Sequence, residues 1–180
     1  MSVEQVQTSD PRRGLLELYD VALPQVYGYL LRRCGRTALA EDLTAETFLA
    51  AVDAVRSGGS PPLSIGWLIG IARHKLVDHW RRLAREERTL SAVAGDPSHE
   101  PSDPWDATLD ALQAHETLQA LAPQHRCALT LRYLDDLPVS EVANAMDRTV
   151  HATEALLVRA RTAFRTSYTE RSDGEEAGRD

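Results

Sequence analysis

Apolar residues along this chain recur every three or four positions, the spacing of one face of an α-helix, and nowhere alternate as a strand would. Leu15, Leu16, Leu18 and Tyr19 begin the pattern, Val26, Tyr27, Leu30 and Leu31 continue it, and Leu43, Phe48, Val52 and Val55 form a further set. The run SGGSPPLS from Ser57 to Ser64 interrupts it, because glycines and prolines end a helix. From Trp67 to Leu83 the period resumes, with Leu68, Ile71, Ala72, Leu76 and Trp80 on or beside one face. A cluster of Pro, Ser, Asp and Gly, GDPSHEPSDPWD, then reads as an acidic flexible linker. The pattern predicts an all-α protein of two small helical domains joined by that linker. The expected boundaries are a disordered leader over 1–11, a first domain over 12–90, the linker over 91–111, a second domain over 112–168 and an acidic disordered tail over 169–180.

The second domain has the more specific pattern. Leu129, Leu131, Tyr133 and Leu134 supply apolar surface on one helix, which stops in the turn chemistry of Asp135, Asp136 and Pro138. Val139, Val142, Ala143 and Met146 mark a short helix, and the small Ala143 lets another helix cross closely. Asp147, Arg148 and Thr149 break the period: Asp tolerates left-handed backbone angles and Thr149 is a competent N-cap. A longer helix starts at Val150, with Val150, Thr153, Leu157, Ala160 and Phe164 on one stripe. His151, Glu154, Ala155, Val158, Arg159, Arg161 and Arg165 lie elsewhere around it. A three-residue turn between a short helix and a longer one is the helix-turn-helix signature, whose second helix enters the DNA major groove. On spacing alone, a plain helical hairpin with solvated arginines fits equally well.

Net charge of -7 argues at first against a nucleic-acid partner, but its distribution changes the picture. Residues 12–88 carry 12 basic and 9 acidic side chains, whereas residues 89–115 carry 5 acids and no Lys or Arg. The acid therefore sits in the linker and tail, and the first domain is mildly basic. No apolar run approaches a membrane span and no signal peptide opens the chain, so a cytoplasmic protein without membrane insertion is expected. Cys34 and Cys127 are far apart in sequence and fit reduced, buried thiols. The 6 histidines form no HExxH and have no CxxC companion, so neither a metal nor a cofactor is expected.

Read together, ALAEDLTAETFLAAV (Ala38 to Val52) and WLIGIARHKLVDHWRR (Trp67 to Arg82) closely resemble region 2 of bacterial sigma factors of the sigma-70 family, extracytoplasmic-function (ECF) branch. Leu121 to Arg165 resembles their region 4. The order of the regions, the acidic linker and the short length all match that branch. The resemblance implies a promoter-specificity subunit that joins core RNA polymerase, opens the −10 element with its first domain and grips the −35 element with its second. An anti-sigma partner is implied by the resemblance alone.

Site residues are implied by that resemblance, each beside a plainer alternative. Asp42 and Glu46 lie four apart and share a helical face, which spacing alone would read as a solvated acidic surface. The resemblance makes Asp42, Ala45, Glu46 and Leu49 the contact for the clamp helices of the polymerase large subunit; the family often carries Gln at the position of Ala45. The −10 set is Ser60, Ser64, Trp67, Arg73, His74, Lys75, Asp78, His79, Arg81 and Arg82. Aromatic rings interleaved with cations suit single-stranded DNA, since bases stack on the rings while cations follow phosphates. In the plainer reading both tryptophans are core anchors, which is favoured for Trp80 and extends to Trp67. In the family a separated base is captured by the preceding loop, here Gly58 to Ser64, whose two prolines are not a general family feature. The family frequently has Arg-Asn where this chain has Arg73-His74, and His74 retains a hydrogen-bonding ring.

The −35 set is Thr149, His151, Ala152, Glu154, Ala155, Val158, Arg159 and Arg161. Family members commonly place basic residues at the positions of Glu154 and Leu156, so these two become the expected seat of an individual promoter preference. Glu154 can accept a hydrogen bond from the cytosine amino group. It could instead pair with a cation on its own helix, although Leu157 and Val158 hold the next-turn positions and Arg161 is two turns away. Three other classes compete: a helix-turn-helix regulator acting without core polymerase, an interaction module such as an anti-sigma or adaptor protein, and a helical enzyme. The first would need a ligand pocket or phosphoacceptor in residues 12–88, where neither is evident. No nucleophile–base arrangement or P-loop supports the last, so the chain is expected not to be an enzyme.

Overall fold

The computed structural model describes residues 11–59, 61–90 and 111–177, and over these it is built from seven α-helices and one π-helical turn, with no strand among the described residues. The expected leader, apart from Pro11, and the linker, apart from Ala111, lie outside the described residues, as do Ser60 and the last three positions.

Helix α1 (Pro11–Cys34) begins on a proline, whose fixed φ suits a first helical turn and whose missing N–H is not needed there. It ends at Gly35, whose φ of 64° is the left-handed value that glycine adopts without a Cβ clash, and the Gly35 N–H reaches the Leu31 carbonyl at 3.0 Å. Helix α2 (Thr37–Arg56) begins after two residues, so the pair packs as a helical hairpin. Leu15, Ala22, Val26 and Leu30 of α1 are buried, as are Ala40, Leu43, Phe48, Ala51 and Val55 of α2. Thr44 and Thr47 are buried as well, and each hydroxyl donates one turn back, to the carbonyls of Ala40 at 2.6 Å and Leu43 at 2.7 Å. The buried Arg33 guanidinium donates to the Tyr29 carbonyl at 3.0 Å and lies 3.6 Å above the Tyr29 ring, which solvates its charge.

Three residues of the predicted apolar pattern in α1 and α2 are exposed rather than core. Leu16 is 74% exposed, and Tyr19 and Val52 are also exposed. Helix α1 carries apolar pairs at 15–16 and 18–19, an arc wider than one neighbouring helix covers, and α2 takes the Leu15 side. Helix α3 (Ile65–Leu90) starts where the Ser64 hydroxyl accepts the Trp67 N–H at 3.2 Å. Its Leu68, Ala72, Leu76 and Trp80 are buried, as their spacing predicts. By its packing the chain divides into two compact units after Asp78, inside α3.

The second unit contains α4 (Ala111–Ala120), α5 (Pro123–Leu129), the π turn (Thr130–Leu134), α6 (Val139–Met146) and α7 (Val150–Ala177). Helix α7 packs against each of α4, α5 and α6. Arg126 gathers the carbonyls left open at the end of α4, donating to Gln119 and, at 3.0 Å, to Leu121. Tyr133 and Leu134, expected as apolar packing surface, are exposed, whereas Leu129 and Leu131 are buried. The widened turn at Thr130, where the Asp135 N–H bonds back to the Thr130 carbonyl at 3.0 Å, takes up an extra residue and rotates Tyr133 and Leu134 outward.

The break between α6 and α7 forms as its residues dictate. Asp147 is left-handed, at φ 54° and ψ 51°, and the Arg148 N–H returns to the Ala143 carbonyl at 2.9 Å. The Thr149 hydroxyl then accepts the Ala152 N–H at 3.2 Å, capping α7. Thr149→Ala is expected to destabilise the second unit by about 1 kcal/mol, read by chemical denaturation; an unchanged midpoint would show that the cap contributes nothing.

Two expectations for α7 are corrected. Its buried side is Thr153, Leu156, Leu157, Ala160 and Phe164; Leu156 joins the stripe and Val150, at the helix start, leaves it, 46% exposed. The helix also continues through Ala177, past the expected domain end at 168, so residues 169–177 are helical rather than a disordered tail. Two bonds to α4 support this extension: Gln113 Nε2 donates to the Tyr168 carbonyl at 3.1 Å, and Arg171 pairs with Glu116 at 3.5 Å. Both cysteines are free and buried. Burial pushes the Cys127 thiol up to about 12, keeping it protonated and unsuited to nucleophilic or metal chemistry.

Candidate nucleic-acid interface

Three helical faces carry the predicted site residues. On α2, Asp42, Ala45, Glu46 and Leu49 are all exposed, and their three- and four-residue spacing puts them on one face. Leu49 is 65% exposed, an unusual state for a leucine in the middle of a long helix. It lies in a shallow groove with Leu16, Tyr19 and Val52, which the Tyr19 ring meeting Phe48 edge-on at 4.8 Å helps to shape. Periodicity alone assigns Leu16, Tyr19 and Val52 to the core and so misses this groove. The doubled apolar pairs on α1 are the available signal that part of this surface faces outward.

On α3, spacings of seven, four and four residues align Trp67, His74, Asp78 and Arg82 along the side opposite Leu76 and Trp80. His74, Asp78 and Arg82 are exposed, while Trp67 is half-buried. Trp67 therefore differs from Trp80, which is sealed in the core. Arg73, Lys75, His79 and Arg81 are half-buried and flank this stripe. Arg82 approaches the His79 ring at 3.3 Å. Lys75 pairs with Glu46 of α2 at 3.6 Å, so one residue from each predicted set joins the other in a solvent-accessible ion pair of small net energy. The exposed Ser64 hydroxyl accepts the α3 capping bond and, like Thr149 on α7, keeps its own O–H to donate.

On α7, the outward side carries His151, Glu154, Ala155, Val158, Arg161 and Arg165, opposite the buried stripe. His151, Glu154, Ala155 and Arg165 are exposed, and Val158 and Arg161 half-buried. Arg161 reaches the Tyr133 hydroxyl at 3.4 Å. Ala152 and Arg159 sit at the margins and are half-buried. The Thr149 hydroxyl accepts the capping bond but keeps its own O–H to donate. Leu156, expected to share the promoter preference with Glu154, is fully buried at 0% exposure and cannot meet DNA. Among the described residues no group of His, Cys, Asp or Glu is placed to hold a metal ion, and no helix is long and apolar enough to cross a membrane.

Comparison with known proteins gives these faces a context. The chain matches the family model for sigma-70 region 2 over residues 18–86 and that for sigma-70 region 4 over residues 111–164. It is 34% identical to the ECF RNA polymerase sigma factor BldN of Streptomyces coelicolor over 79% of this chain, and spans 56% of that protein's length. It is 30% identical to the ECF RNA polymerase sigma factor SigL of Mycobacterium tuberculosis, covering 70% of this chain and 72% of the relative. Among solved structures, the sigma factor RpoE crystallised with the anti-sigma factor NepR from Bartonella quintana superposes with a TM-score of 0.52 at 18% identity, over 87% of this chain and 98% of that one, a likeness of fold. With both regions in order and a relative of this identity covered over most of its length, the chain belongs to the sigma-70 family of RNA polymerase sigma factors, in its ECF branch.

Proposed function

We propose that this chain joins core RNA polymerase through the α2 face and directs transcription initiation at promoters whose −10 element meets α3 and whose −35 element meets α7. The observation that carries the reading is the α6–turn–α7 geometry. A left-handed Asp147 and a Thr149 cap set the start of α7, whose outward side carries His151, Glu154, Ala155 and Val158, with Arg161 and Arg165 further along the same side. That arrangement suits a major-groove helix whose early residues meet bases and whose later arginines meet phosphates.

The α2 face has the anatomy of a protein-docking surface rather than a DNA-binding one. Exposed Leu49, continued by Leu16, Tyr19 and Val52, supplies an apolar centre, and Asp42 and Glu46 supply an acidic rim. On α3, the open part of Trp67 offers a stacking surface at the start of a stripe that His74 and Arg82 continue along the helix, which suits a separated strand. The chain acts as a specificity subunit and performs no catalysis itself. Its place is the cytoplasm, and its restraint is an anti-sigma protein, as membership of this branch implies.

The reading is tested by mixing the purified chain with core polymerase and labelled promoter duplex. Promoter retention that needs both proteins supports it, whereas equal retention by the chain without core favours an independent regulator. Within that complex Arg159, at the margin of the α7 face, should act on phosphate. Arg159→Ala is expected to weaken binding about equally at all −35 sequences and to lower the salt slope by about 1, measured by titration at several salt concentrations. Loss of preference at a single base pair would assign it to base reading instead.

A further inference from the structure

We propose that Glu154 is the base-reading group of the second unit and selects cytosine at one position of the upstream promoter element; the inference rests on the promoter-recognition reading above and specifies its chemistry. Between Val150 and Val158, the part of α7 that a helix-turn-helix lays against base edges, there is no Lys or Arg. The outward residues there are His151, Glu154, Ala155 and Val158, so Glu154 is the one carboxylate on this surface. With Leu156 fully buried, no second unusual residue shares the role.

Glu154 is exposed, and among the described residues no hydrogen bond or ion pair holds its carboxylate. Its next-turn neighbours are the buried Leu157 and the apolar Val158. Arg161 lies two turns on, about 10 Å along the axis, and is directed to the Tyr133 hydroxyl. The carboxylate is therefore presented rather than spent within its own helix.

An ionised carboxylate only accepts hydrogen bonds, which decides what it can read. In the major groove guanine presents O6 and N7 and thymine presents O4, all acceptors that repel it. Adenine offers its N6 amino group beside the N7 acceptor, so one favourable contact is offset by an adjacent repulsive one. Cytosine offers its N4 amino group with no acceptor of its own on that edge. The methyl groups of Ala155 and Val158 beside Glu154 contribute apolar contact and no competing donor. Glu154 thus selects as much by rejecting the acceptor edges of guanine and thymine as by bonding cytosine, while Arg161 and Arg165 on the same side of the helix offset phosphate repulsion.

The test uses the full chain with core RNA polymerase on a promoter library randomised through the upstream element, with transcripts sequenced and their starts mapped. The unmodified chain is expected to enrich cytosine at one position. Glu154→Gln should move the preference there to adenine, because an amide both donates and accepts. Glu154→Ala should lower the discrimination there about tenfold and leave the other positions unchanged. Identical preferences at every position in all three proteins would overturn the assignment while leaving the sigma-factor reading in place. Failure of the unmodified chain to give start-specific transcription would overturn both.

Discussion

Replacing Asp42 and Glu46 together by Lys is expected to abolish association with core RNA polymerase while leaving the helical fold intact. Both side chains are exposed on one face of α2, and that face carries the apolar centre formed by Leu49, Leu16, Tyr19 and Val52. Reversing two rim charges turns attraction into repulsion at each contact, and charges at an interface are worth several kcal/mol when opposed by like charge. A loss of affinity on the order of 100-fold or more is expected, read by co-elution or by titration of labelled chain with core. The fold should survive, because the substitutions touch no buried atom and remove only the solvent-accessible Glu46–Lys75 pair. Unchanged helical circular dichroism with lost core binding supports the assignment. Normal core binding by the double variant would remove both residues from the interface.

The second large effect belongs to Leu156, and it separates core from DNA surface. Leu156 is fully buried on the side of α7 shared with Thr153 and Ala160. Leu156→Ala is expected to destabilise the second unit by about 2–5 kcal/mol, from lost transfer energy and the cavity left behind. Glu154→Ala, two positions away on the exposed side, should stay within about 0.5 kcal/mol of the parent. Chemical denaturation of the two variants measures the contrast. A Leu156→Ala variant of parental stability but altered −35 preference would place that side chain on the DNA face.

The contrast between these neighbours shows which parts of the fold and site were legible in the sequence. Asp147 and Thr149 were readable because the left-handed angle and the N-cap depend on local chemistry that those residue types carry with them. Likewise, Leu68, Ala72, Leu76 and Trp80 recur at intervals with one buried solution. The rotation of α7 was less legible. Leu156 and Leu157 are adjacent, and with α4, α5 and α6 all packed against the helix both of them are core, whereas Val150 stays exposed. The π turn at Thr130–Leu134 carries no proline or glycine to announce it, so the outward rotation of Tyr133 and Leu134 had no local signal. The extension of α7 past Tyr168 depends on Gln113 and Glu116, residues more than fifty positions earlier, and an acidic, apolar-poor segment gives no sign of such partners.

For the functional surfaces, the α2 face was legible as an acidic pair but not as an apolar groove, because exposure of Leu16 and Leu49 is a property of tertiary packing. On α7 the unusual Glu154 was visible in the sequence, and the structure narrowed the candidate readers from two to one by burying Leu156.

Whether this chain confers promoter specificity on core RNA polymerase is read by mapping transcription starts. Core polymerase is supplied with the purified chain and a library of promoter fragments, and the 5′ ends of the transcripts are sequenced. The expected result is discrete starts that require both proteins, each preceded by a shared −10 and −35 pair. No start-specific transcription, together with tight binding of the chain to duplex DNA in the absence of core, would contradict it.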